Sequence, residues 1–256
     1  MGPDASIAGR LAVQGLAYRY PSGRVALKSV DLAVRAGELV VVLGSNGSGK
    51  STLMRCIVRL LQPTEGRVLI DGTDVAPLAG EALRQARMCC GMIFQHANLV
   101  KRRSVLANVA TGALGRHRTL ATACGMLPRC ELEAAEAYLD EVGLRDRAGQ
   151  RAGTLSGGQQ QRVAIARALA QRPRMLLADE PVASLDPEAA REIMALLRRL
   201  ASDDDLAVLA VLHQPDLALG YADRIVGLKD GQIEFDLPPE RVRQPMVDAL
   251  YARYAA

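Results

Sequence analysis

Leu39-Val40-Val41-Val42-Leu43-Gly44-Ser45-Asn46-Gly47-Ser48-Gly49-Lys50-Ser51-Thr52 joins an unbroken apolar run to a glycine-rich turn ending in Gly-Lys-Ser. The run reads as a strand covered on both faces, and residues 51–61 read as a helix. The turn between them fits GxxxxGK[ST] in the context that motif requires. Its glycines let backbone N–H groups turn inward around phosphate oxygens, and the helix N-terminus adds a favourable partial charge. Gly44, Ser45, Asn46, Gly47, Ser48 and Gly49 are thus expected to form a phosphate cradle. Lys50 would reach the β- and γ-phosphates, Ser51 would ligate Mg²⁺, and Thr52 would bond an α-phosphate oxygen.

Two more apolar runs, at 175–178 and 206–212, match the first. Alternating with helical stretches, they mark an α/β fold with a buried parallel sheet. Residues 187–201 place Ala190, Ile193, Met194, Leu197 and Leu200 on one helical face. Asp186 and Pro187 supply its N-cap and first position. Residues 10–36 alternate and turn at Pro21-Ser22-Gly23, which predicts an antiparallel β-section. Residues 96–152 read as mostly helical, with Leu132, Ala135, Tyr138, Leu139 and Val142 predicted on one face of 131–142. The tail 237–256 carries Pro-Pro and then a short helix after Gln244-Pro245.

The run 175–178 ends in Asp179-Glu180. Alone, such a pair reads as a solvated turn. Beside a phosphate loop, Asp179 reads as a Mg²⁺ holder and Glu180 as the general base that polarises attacking water.

Composition narrows the function further. Of 256 residues, 49% are apolar and 23% charged, which excludes a disordered or collagen-like chain. Thirty-two basic residues against 28 acidic ones are too even for a dedicated nucleic-acid binder, and 3% aromatics without Trp argue against base-stacking platforms. The longest uncharged run, 88–100, is thirteen residues, short of the roughly 20 that cross a bilayer. The first ten residues show no secretory signal. Cys56, Cys89, Cys90, Cys124 and Cys130 form no CxxC pair, so reduced thiols are expected. Cys89 and Cys90 read as packing residues of the strand that leads to Gln95.

Leu155-Ser156-Gly157-Gly158-Gln159 presents a second set of N–H and O–H groups at a helix N-terminus. A single ATP does not need two such cradles. With these motifs, 106 residues from Lys50 to Ser156 and 23 on to Asp179, the chain from about Leu11 to Phe235 resembles the nucleotide-binding subunits of ABC transporters. The resemblance implies an ABC-type P-loop NTPase core, of class α/β, with the N-terminal antiparallel β-section and an inserted helical lobe. Within one nucleotide-binding domain spanning 1–256, the core would occupy 10–95 and 170–236. The helical lobe and signature would take 96–169, and 237–256 the tail.

The resemblance also implies roles. Tyr20 would stack on adenine, Gln95 would sense Mg²⁺ and the γ-phosphate, and His213 would be the switch histidine. Ser184-Leu185-Asp186 would cross a dimer interface. Ser156, Gly157, Gly158 and Gln159 would cap the γ-phosphate held by a second copy. The activity implied is ATP hydrolysis, with ATP and Mg²⁺ as cofactors. The implied partners are a homodimer of ATPase subunits, transmembrane permease subunits and, for an importer, a separate solute-binding protein. Such a subunit sits peripherally on the cytoplasmic face of the cell membrane, and no nucleic acid is implied. His96 and His117 match no motif and read as ordinary residues of the lobe.

The stretches 94–106, 113–116, 180–186, 212–218 and 221–228 are similar to those of phosphonate importer ATPases, so phosphonate or a related phosphorus oxyanion is the expected cargo. The loop 96–116, with Lys101, Arg102 and Arg103, would receive a coupling helix from the permease. Alternatives are a soluble ABC-type ATPase of a carbon–phosphorus bond-cleaving complex and the ATPase of another importer or exporter. A DNA-maintenance ATPase fares badly, because no sustained heptads occur between the loop and the signature.

Overall fold

Side chains of β3, Leu39–Leu43, alternate between two buried apolar layers, which is why the run lacks a polar face. Leu39, Val41 and Leu43 enter one layer, and Val40 and Val42 the other. The computed structural model describes residues 9–117, 119, 122 and 126–252. Besides β3 its strands are β1 (Leu11–Arg19), β2 (Val25–Val34), β4 (Glu65–Ile70), β5 (Thr73–Asp74), β6 (Cys90–Ile93), β7 (Met175–Asp179), β8 (Ala207–Leu212), β9 (Arg224–Lys229) and β10 (Gln232–Leu237). The main sheet runs β10-β9-β3-β8-β7-β6, parallel except for β10 against β9. A second, antiparallel sheet runs β2-β1-β4-β5.

Helix α1 (Lys50–Ile57) and the antiparallel sheet cover one face of the main sheet. After α2 (Gly80–Met88), the other face is covered by α3 (Val105–Ala110), α4 (Arg129–Glu141), α5 (Gly157–Leu169) and α6 (Pro187–Asp204). Asp186 caps α6, accepting from the N–H groups of Glu188 and Ala189, with Pro187 at its start. Then follow α7 (Pro215–Tyr221) and, in the tail, α8 (Gln244–Tyr251).

Three expectations need correction. The antiparallel section is not confined to 10–36: β4 and β5, which follow the phosphate loop in sequence, complete it. The strand before Gln95 begins at Cys90, and Cys89 instead caps the end of α2. Burial raises the pKa of both thiols, that of Cys90 to about 12, so neither is a ready thiolate. Cys124 lies outside the described residues, as do 1–8 and 253–256 of the two termini.

The third correction concerns α4, where Ala135, Leu139 and Val142 are buried and Tyr138 packs on the core as expected, but Leu132 does not join them. Leu132 is 38% exposed, while Glu131 is buried beside Ala135 and Leu139. The carboxylate is drawn inward by cations: it pairs with Arg116, meets His117 Nε2 at 2.8 Å and lies 3.7 Å from Arg172. His117 is therefore an anchor of the lobe rather than a bystander. Burial pushes the Glu131 pKa up, but the His117 bond and the charges of Arg116 and Arg172 outweigh it and leave the carboxyl below its ordinary range.

Glu131→Ala is expected to lower the unfolding free energy by about 2 kcal/mol at neutral pH, the scale of charged hydrogen bonds. Because the folded pKa is depressed, this contribution is present above the ordinary carboxylate range and fades as acid protonates the folded carboxyl. Urea unfolding of both proteins at neutral and acid pH measures the difference, and an equal gap at both would remove the ionic account.

Candidate functional site

Residues 44–49 connect β3 to α1 through backbone that admits only glycine at Gly44 and Gly49. Gly49 has φ +112°, and a Cβ there would lie 2.6 Å from the Ala26 carbonyl oxygen. A Cβ on Gly44 would come within 2.2 Å of the Leu228 carbonyl. Lys50 Nζ donates to the carbonyls of Gly44 at 2.7 Å and Ser45 at 2.8 Å, folding the chain's one motif lysine back over its own loop. Burial lowers the Lys50 pKa, while the charges of Glu180 and Asp179 push it back up. Tyr20 Oη shares a 2.9 Å hydrogen bond with Thr52 Oγ1, and its ring meets Tyr18 edge-on with centroids 4.9 Å apart. Tyr20, Arg24, Asn46, Lys50, Ser51, Thr52 and Glu180 help line a cleft of about 210 Å³.

The carboxyl end of β7 faces the same cleft. Glu180 has φ +53°, a conformation unusual for a side chain this size, held by its N–H donating to the Val211 carbonyl at 3.1 Å. Its Oε1 lies 2.5 Å from His213 Nε2 across the end of β8. Asp179 Oδ1 is buried and has no hydrogen-bond partner among the described residues. Burial and neighbouring Glu180 raise the Asp179 pKa, against the opposing pull of Arg55, the Ser51 hydroxyl and Lys50. A second, wider cavity of about 680 Å³ adjoins this side, walled by Ser45, Asn46, Glu180, His213, Lys229, Asp230, Tyr251 and Ala252. Three neighbouring strand ends thus bring a basic cradle, two carboxylates and an imidazole together, as expected outside the carboxyl ends of a parallel sheet.

Two sets of predicted residues are not brought there. Gln95 is exposed just beyond β6 and lines neither cavity. Ser156, Gly157, Gly158 and Gln159 open α5 and line neither cavity either. Ser156 Oγ accepts from the Gln159 N–H at 3.3 Å and Gln159 Oε1 accepts from the Ser156 N–H at 3.1 Å, a capping box. The Gln159 carbonyl is therefore committed to its own helix. The two glycines allow close packing on the start of α6: a Cβ on Gly158 would sit 3.0 Å from Ala189 Cβ, and one on Gly157 3.3 Å from Leu185.

The profile of the ABC transporter family matches residues 27–183. The chain belongs to this family. A phosphonates import ATP-binding protein of Halalkalibacterium halodurans is 46% identical over 234 residues, covering 91% of each chain. A phosphite import ATP-binding protein of Stutzerimonas stutzeri is 47% identical over 242 residues, covering 94% of this chain and 87% of that one. A solved ATP-binding cassette, dimeric in a post-hydrolysis state with ADP and Pi, superposes with a TM-score of 0.77. It is 35% identical and covers 90% of this chain and 98% of that one.

As an ABC ATPase, the chain adds residues to its site that the sequence motifs do not mark. Arg24 donates Nη2 to the Gly47 carbonyl at 3.2 Å and so clamps the loop tip to the turn after Tyr20. Tyr251 and Lys229 enter from the tail helix and from the end of β9. Arg24 follows the predicted Pro-Ser-Gly turn, a cue to proximity in hindsight, whereas nothing local distinguishes Tyr251. A divalent cation fits the Asp179 side of the cleft, because a buried carboxylate oxygen without a partner beside a serine hydroxyl suits a hard ion with oxygen ligands. Among the described residues no helix is long and apolar enough to cross a membrane.

Proposed function

We propose that this ABC ATPase powers the import of phosphonate or a related phosphorus oxyanion through transmembrane permease subunits, working as a homodimer on the cytoplasmic face of the cell membrane. A separate solute-binding protein would deliver the cargo. The observation that carries the hydrolytic part is the 2.5 Å contact of Glu180 with His213 beside the phosphate cradle. The cargo class is supported by relatives named for phosphonates and phosphite at 46% and 47% identity.

In this mechanism Tyr20 stacks on the base and the N–H groups of 44–49 hold the phosphates. Lys50 exchanges the carbonyls of Gly44 and Ser45 for phosphate oxygens. Mg²⁺, bound with ATP at Ser51 and Asp179 and sensed by Gln95, would neutralise charge on the transferring group. Glu180 takes a proton from the attacking water as its oxygen bonds to the γ-phosphorus and the bond to the β-phosphate oxygen breaks. His213, held by Glu180, donates to the γ-phosphate. Ser156, Gly157 and Gly158 of a second copy close over that phosphate, and the helix N-terminus fixed by the Gln159 cap suits an anion. ATP binding and dimer closure are then coupled, each strengthening the other.

The test is growth of cells lacking the gene, with methylphosphonate, phosphite or inorganic phosphate as the only phosphorus source. Growth on methylphosphonate should fail and return with the wild-type gene. Loss on phosphite alone would assign phosphite. Loss of growth with methylphosphonate uptake intact would move the chain to a soluble carbon–phosphorus bond-cleaving complex, and unchanged growth on all three would reject the phosphorus cargo.

A further inference from the structure

The tail helix touches the hydrolytic site through two contacts that the family motifs do not include. Tyr251, half-buried in the last turn of α8, donates its hydroxyl to the His213 carbonyl at 3.3 Å. The Gly44 backbone bonds to the same hydroxyl oxygen: burial raises the Tyr251 pKa, and that bond draws it part of the way back. Lys229, the last residue of β9, donates Nζ to the Ala249 carbonyl at 2.6 Å and holds the helix from the other side. Val247 and Leu250 are buried in the same core layer as Leu43 and Leu212, so the helix is seated rather than loosely laid on the surface.

The placement matters because of the sheet register. Leu43 and Leu212 are partners on neighbouring parallel strands, and their ladder ends there. Gly44 and His213 are the residues that follow each strand. One begins the phosphate cradle and the other carries the imidazole that meets Glu180. A single phenolic hydroxyl spans both strand ends at the point where the ladder stops. Moving His213 by an ångström would undo its contact with Glu180, and displacements of that size are costly in catalysis.

We propose that Tyr251 is a positioning residue for ATP hydrolysis, bridging Gly44 and His213 so that the imidazole stands in register with Glu180 and the tail helix becomes part of the hydrolytic site. This rests on His213 acting at the γ-phosphate, so the experiment tests both. Tyr251→Phe removes only the hydroxyl and keeps the ring that packs. Its kcat for ATP is expected to fall about three- to tenfold, the worth of one hydrogen bond. KM for ATP should stay within about twofold, and the thermal midpoint within about 2 °C. In a His213→Ala background the same change should have no further effect, since a residue acting through His213 is not additive with its loss.

A wild-type kcat for Tyr251→Phe, with His213→Ala strongly impaired, would overturn the positioning role and leave the histidine reading standing. An undiminished effect of Tyr251→Phe in the His213→Ala background would also overturn it, since the hydroxyl would then act elsewhere. Wild-type hydrolysis by His213→Ala would defeat the histidine reading and the proposal with it.

Discussion

Glu180→Gln should bind ATP as well as the wild type or better, and hydrolyse it about 10²–10⁴-fold more slowly. The side chain keeps its length and an oxygen for His213 Nε2 to meet, now 2.5 Å from Glu180 Oε1. The backbone at φ +53° is held by the Val211 carbonyl rather than by the carboxylate, so local geometry should survive. What is lost is the carboxylate proposed as the base. The charge it removes also matters, because Glu180 raises the Asp179 pKa by repulsion. Without it Asp179 ionises more readily, and the anionic phosphates meet one negative charge fewer. Binding and chemistry are therefore expected to separate, and ATP-bound dimers should accumulate. Single-turnover hydrolysis and size-exclusion chromatography with ATP measure the two halves, and turnover at the wild-type rate would end the general-base assignment.

The parts of this protein that were legible in its sequence are those written in local pattern. The β3 run, the glycines of 44–49 and the Asp186-Pro187 cap each solve a nearby problem of burial, backbone conformation or unsatisfied N–H groups, and each solution shows in residue type. The antiparallel sheet was half legible. Its hairpin is local, but β4 joins β1 across the intervening β2, β3, phosphate loop and α1, and no periodicity within Glu65–Ile70 announces that pairing. In helix α4 the face is legible at Ala135, Tyr138, Leu139 and Val142 but not at its first turn, because apolar spacing ranks Leu132 above Glu131, whereas the fold supplies Arg116, His117 and Arg172 to make the carboxylate the inward residue. Tyr251 was invisible for a related reason: its worth lies in meeting Gly44 and His213, which are 207 and 38 positions away in the chain.

Lys50→Ala should cost ATP affinity about 10- to 100-fold by calorimetry, the scale of a charged hydrogen bond to phosphate, and should cost hydrolysis at least as much. Its effect on the nucleotide-free protein should be far smaller. The ammonium now bonds the Gly44 and Ser45 carbonyls, which favours the fold. Against this stands burial, which lowers the Lys50 pKa and so opposes keeping the charge there. Glu180 and Asp179 attract the ammonium without bonding to it, so before ATP arrives these terms largely oppose each other, and phosphate supplies an anionic partner in direct contact. Loss of binding with unfolding stability changed by less than about 1 kcal/mol would match that balance. Unchanged ATP affinity would contradict the phosphate role, and a collapse of stability would mean that the two carbonyl bonds hold the loop itself.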